Sequence, residues 1–185
     1  MTRPMPDKTS PPAVWVVLVA GGRSLRFGTD KLAMLLDLTI AGLPADWPIV
    51  VVGPQRATVR SVTWIREDPP LSGPLAAIGA GVAQVPADAS HVVVVAADMP
   101  QAGLAVTALV DACGPSVDVA YLVDGEGIRQ PLLACYRAAW LRVTLARYVP
   151  LDNRPARLLL ASGEVREVAD QWGAGHDVDT PTDLI

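Results

Sequence analysis

The sequence predicts a single α/β domain built on a mostly parallel sheet with a small antiparallel part. Three observations predict it. Short apolar, β-branched runs recur along the chain, segments of helical character separate them, and polar residues follow the runs directly. Near-continuous apolar strands are the mark of a sheet covered on both faces.

Val14–Val19 is the first such strand, and a glycine-rich loop follows it. Leu32 to Leu43 reads as a helix returning across the sheet. Pro48–Val52 is a second buried strand, ended by Gly53-Pro54, and Ser61–Ile65 a weaker third. A loop over Asp68–Pro74 leads to a helix through Leu75, Ile78 and Val82, with Ser72 as its expected cap and Pro74 in its first turn. Gly79 and Gly81 weaken that helix but permit close packing.

His91–Val95 is the clearest strand, and Asp98 comes directly after it. A helix is expected over Ala102 to Cys113. Strands Val117–Val123 and Pro131–Tyr136 are joined by the turn Asp124-Gly125-Glu126-Gly127. Helices are expected over Ala138–Tyr148 and Arg154–Ala161, and a late edge strand over Glu164–Val168. Residues 1–12, rich in proline, read as a loose tail, and 13–185 as one domain.

The chain of 185 residues is 51% hydrophobic and 18% charged, which suits one well-packed core. Its net charge of −4 argues against a general nucleic-acid binder, while leaving free nucleotides open to a local basic loop. No apolar run is long enough for a bilayer. The basic N-terminus followed by Ala13 to Ala20 lacks a cleavage site, so a cytoplasmic location is expected. Cys113 and Cys135 lack metal-ligand spacing and read as buried small apolar side chains. His91 and His176 read as structural.

The chemistry is concentrated at strand ends. Val19-Ala20-Gly21-Gly22-Arg23-Ser24-Leu25-Arg26-Phe27-Gly28-Thr29-Asp30-Lys31 combines three glycines with two arginines and a lysine. Such a loop lets backbone N–H groups approach a polyphosphate while cations offset its charge. It matches neither the P-loop nor the dinucleotide fingerprint. Asp98, at the mouth of a buried strand, suits Mg²⁺, which takes one or two carboxylates with phosphate oxygens and water. Capping of the next helix is the competing role for Asp98.

The glycine loop resembles the signature of sugar-nucleotide-type nucleotidyltransferases, and most of all that of the molybdenum cofactor guanylyltransferases. The resemblance extends to Asp68 with Gly73-Pro74-Leu75-Ala76-Ala77-Ile78, to Ala97-Asp98-Met99-Pro100, to Gln130-Pro131-Leu132 and to the closing His176-Asp177-Val178-Asp179-Thr180-Pro181. Gly53 stands where those enzymes often carry Asn, and the segment after Lys31 is shorter than theirs.

The resemblance implies a three-layer Rossmann-like nucleotidyltransferase fold. It implies Mg²⁺-dependent transfer of GMP from GTP to the terminal phosphate of molybdopterin. Val19, Ala20, Gly21 and Gly22 would meet the nucleotide through backbone groups, with Gly53, Asp68 and Gln130 completing the site. Arg23 and Lys31 would contact phosphates, and Asp98 would hold Mg²⁺, with Asp177 as a second ligand or a turn residue. Partners would be GTP, a molybdopterin-type acceptor, and molybdoenzymes or other proteins of the cofactor pathway. Two alternatives stay open at this stage: a cytidylyltransferase or another nucleotidyltransferase with a different acceptor, and a nucleotide-binding module without turnover.

Overall fold

In the computed structural model the described residues are 13–21 and 29–175, with side chains of the first helix described from Ala33 onward. Strand β1 (Val14–Val19) is followed by helix α1 (Thr29–Gly42), then by β2 (Ile49–Val52) and β3 (Thr63–Ile65). Helix α2 (Pro74–Val82) leads to β4 (His91–Ala96), and a 3-10 turn (Ala102–Leu104) to α3 (Val106–Ala112). The chain continues through β5 (Val119–Val123), β6 (Arg129–Arg137), α4 (Ala138–Arg147), a second 3-10 turn (Ala156–Leu160) and β7 (Val165–Ala169).

The seven strands form one sheet in the order β3-β2-β1-β4-β6-β5-β7. All neighbours are parallel except β6, which runs antiparallel to both β4 and β5. Alternation along each strand divides the core into two layers. Val16, Leu18, Val93 and Val95 pack with Leu36 and Ile40 of α1 and Leu109 of α3. Val17, Val19, Val92 and Val94 pack with Leu75 and Ile78 of α2 and Leu141 of α4. Helices on both faces make the three-layer sandwich, and the central valine runs are buried because neither face meets water.

Gly81 shows why α2 can lie so close. A methyl group there would stand 2.4 Å from Val17 Cγ1 and 3.1 Å from Val52 Cγ2.

Two local expectations are corrected. Ser72 does not cap α2: its hydroxyl donates instead to the Pro69 carbonyl, and Gly73 is the cap residue, with no side-chain bond. The segment Ala156–Leu160 is a 3-10 turn and not an α-helix. It is only five residues long and is fixed by packing Leu159 into the α2–α4 layer.

Candidate active site

The topology itself marks a site. From β1 the chain moves outward to β2 and β3, then returns to β4 on the other flank of β1. Ligands in open α/β sheets bind beyond the carboxyl ends of strands at such a reversal. Ala20-Gly21 after β1 and the turn after β4 therefore border one crevice. Backbone bonds fix this edge: Ala97 N–H donates to Val19 O at 3.0 Å, Ala20 N–H to Val52 O at 2.9 Å and Gly53 N–H to Ile65 O at 2.9 Å.

Val19, Ala20, Gly21, Gly53 and Asp98 thus share one edge. Asp98 stands two residues past β4 and is half-buried. Gly53 is required by proximity, because a methyl group there would stand 3.0 Å from the Ala20 carbonyl carbon and oxygen. An Asn at this position would push against the backbone that leads into the glycine loop.

Gln130 reaches the same edge because β6 is antiparallel. Leu133 pairs with Val95, so the start of β6 lies at the carboxyl end of β4. The β5–β6 register shifts between Tyr121 and Leu122, leaving Pro131 in a bulge where no ladder donor is needed. Gln130 Nε2 donates to Asp124 Oδ2 at 3.1 Å, and Asp124 Oδ1 accepts from the N–H groups of Glu126 and Ile128. The Gln130 amide is therefore held by the β5–β6 turn.

Lys31 belongs to the first turn of α1. Gly22, Arg23 and Asp177, together with His176, lie outside the described residues.

Beside Gly21 lies a cleft of about 570 Å³, within the size range of small-ligand sites. Its walls are Gly21 and Glu67 at the sheet edge, Gly73 and Pro74 at the start of α2, and Asn153 to Pro155. The last segment is pinned in place, with Asn153 N–H donating to Ser72 O and Leu75 N–H to Arg154 O.

Asp68 is exposed and does not line this cleft. Its neighbour Glu67 does, and is only 5% exposed. Glu67 Oε1 accepts from Leu71 N–H at 2.9 Å, while Oε2 has no hydrogen-bond partner among the described residues. The carboxylate lies against Gly21: a methyl group there would be 3.4 Å from Oε1 and 3.8 Å from Oε2. A buried carboxylate oxygen at the wall of a cleft can accept a hydrogen bond from a ligand's donor.

Glu67, Asn153 and Arg154 escape a motif reading. For Glu67 a signal exists in strand alternation: it stands two residues beyond Ile65, which packs in the α2 layer.

Fold and strand-end crevice together define a nucleotidyltransferase of the α/β class. Residues 16–168 match the MobA-like NTP transferase domain, and the chain belongs to that family. Enzymes of this kind use a nucleoside triphosphate and a divalent metal. A search of curated proteins by sequence returned no match.

Similar solved structures include molybdopterin-guanine dinucleotide biosynthesis protein A from Archaeoglobus fulgidus, with TM-score 0.66, 19% identity, and coverage of 91% of this chain and 94% of that one. Rv0371C of Mycobacterium tuberculosis, in complex with manganese, gives TM-score 0.61 at 18% identity, covering 95% and 97%. The 2-C-methyl-D-erythritol 4-phosphate cytidylyltransferase of Thermus thermophilus gives 0.61 at 17%, covering 91% and 94%. At these identities the likeness is one of fold. Among the described residues no helix is long and apolar enough to cross a membrane.

Proposed function

We propose that this nucleotidyltransferase uses GTP, and that it transfers GMP to the terminal phosphate of a molybdopterin-type acceptor with release of pyrophosphate. The observation that carries the base preference is the buried carboxylate oxygen of Glu67, unbonded among the described residues, in the cleft beside Gly21. Guanine presents two adjacent donors, N1–H and the 2-amino group, to a carboxylate. Cytosine presents one, and adenine sets an acceptor beside its amino group. The acceptor assignment rests on the motif resemblance and on the fold shared with the A. fulgidus protein.

In the reaction an oxygen of the acceptor phosphate attacks the α-phosphorus, the bond to the β-phosphate oxygen breaks, and pyrophosphate leaves. The nucleophile is already an anion, so the protein supplies alignment and charge compensation and needs no strong base. Backbone groups at Ala20 and Gly21 position the nucleotide, and Arg23 and Lys31 offset phosphate charge. Asp98 fits as the holder of Mg²⁺, being a carboxylate at the carboxyl end of β4 in the crevice itself. Asp177 is its proposed second ligand. Bound there, the ion would neutralise charge on the reacting phosphates.

Glu67→Gln tests the base reading, because it keeps an acceptor for Leu71 N–H and removes the charge. The kcat/KM for GTP should fall about 10- to 100-fold. ITP, which lacks the 2-amino donor, should lose less. An unchanged preference for GTP over CTP and ITP in this variant would remove Glu67 from the base site.

A further inference from the structure

At the far end of the sheet from the crevice, three side chains with metal-binding atoms converge. His91 opens β4, Cys113 caps the end of α3, and Cys135 lies in β6 opposite Val93 and Ala120. One ligand atom from each, a ring nitrogen and two sulfurs, lie within 4.8 Å of one another. Both cysteines are buried and free, and His91 is half-buried. Burial of both thiols agrees with the sequence reading.

In a tetrahedral site with metal–sulfur bonds of about 2.3 Å and metal–nitrogen bonds of about 2.0 Å, ligand atoms stand about 3.5–3.8 Å apart. The trio needs to contract by roughly 1 Å to enclose an ion, a motion within reach of side-chain rotation. Two thiols and an imidazole form a set that zinc takes readily, and one that Mg²⁺ does not.

The surroundings support a ligand role. Cys113 Sγ lies 3.7 Å from Val117 O and 3.8 Å from Asp118 O, donating its thiol proton to these carbonyls. Both thiols lose their protons to solvent when an ion binds. His91 Nδ1 lies 3.1 Å from Ser90 Oγ, and Nε2 lies 2.8 Å from Cys113 O. In this structure Nε2–H donates to the Cys113 carbonyl; turning the ring off that carbonyl, with the proton on Nδ1 donated to Ser90 Oγ, frees Nε2 to ligate an ion. A hydrogen bond on the second nitrogen is the usual support of a ligating histidine.

We propose that His91, Cys113 and Cys135 bind one thiophilic divalent cation of the Zn²⁺ type, separate from the transfer site. Water would complete the coordination. His91 opens β4 and Cys135 pairs with Val93, so the ion would lie roughly 10–16 Å along the strand from its end at Ala96 and take no part in transfer. Its effect is to clamp the start of β4, the end of α3 and the last part of β6.

The full chain, reduced and stripped with chelator, is titrated with Zn²⁺ and with Co²⁺. One ion per chain is expected, with thiolate-to-cobalt charge-transfer absorption and a higher melting temperature with Zn²⁺. Mg²⁺-dependent pyrophosphate release should stay unchanged. His91→Gln, at a half-exposed position, should weaken Zn²⁺ uptake by at least about 100-fold. Folded, reduced wild-type protein that shows no thiolate–cobalt absorption would overturn the proposal. So would a His91→Gln variant that binds Zn²⁺ as tightly as wild type.

Discussion

Adjacent acids after β3 have opposite fates. Asp68 points to solvent, whereas Glu67 is buried against Gly21 with one oxygen unbonded among the described residues. A motif match carries over a position but not a direction; one step along an extended chain turns a side chain to the other face. Asp98 carries the corresponding prediction for the metal. Asp98→Asn keeps the side-chain shape and removes the charge. Metal-dependent pyrophosphate release should fall by at least about 100-fold, with the melting temperature within about 3 °C of wild type. Calorimetry and a release assay on the same sample check both. Near-normal rates would remove Asp98 from the metal site.

At the scale of elements, the strands were the most legible part of the sequence. Runs such as Val92–Val95 are too apolar and too β-branched to be anything but strands covered on both faces. The late edge strand was legible too, although only its pairing shows that it runs parallel to β5. Caps and 3-10 turns were not legible. Ser72 has the right chemistry for a cap but spends its hydroxyl on Pro69, and nothing in the sequence separates the two uses. Gly81 was readable as a packing glycine, and the structure identifies the partners as Val17 and Val52. Gly81→Ala improves helix propensity by about 1 kcal/mol, yet forces a methyl group into Val17. The clash wins, so a net loss of about 1–2 kcal/mol is expected. Chemical denaturation should show a lower midpoint with an unchanged slope. A stabilised variant would mean that α2 stands further from the sheet.

For the whole molecule, connectivity concentrates the chemistry. Placing β4 beside β1 brings Ala20, Gly21 and Asp98 to one edge, and the reversed β6 adds Gln130 from a distant part of the chain. That gathering could be inferred from strand order in outline. The cleft could not, because its outer wall, Asn153 to Pro155, reaches Gly73 only through tertiary packing. The convergence of His91, Cys113 and Cys135 was hidden for the same reason: no local spacing joins residues on β4, α3 and β6.

The proposed selectivity of the crevice is for a guanine nucleotide. Its most direct measurement is the melting temperature of the full chain with Mg²⁺ and, in turn, GTP, CTP, ATP or UTP, a panel that needs no pterin. Binding to the native state alone raises stability by about 2.7 kcal/mol at a ligand concentration of 100 Kd, a shift of several degrees for a domain of this size. The largest shift is expected with GTP. A larger shift with CTP, or no shift with any of the four, would contradict it.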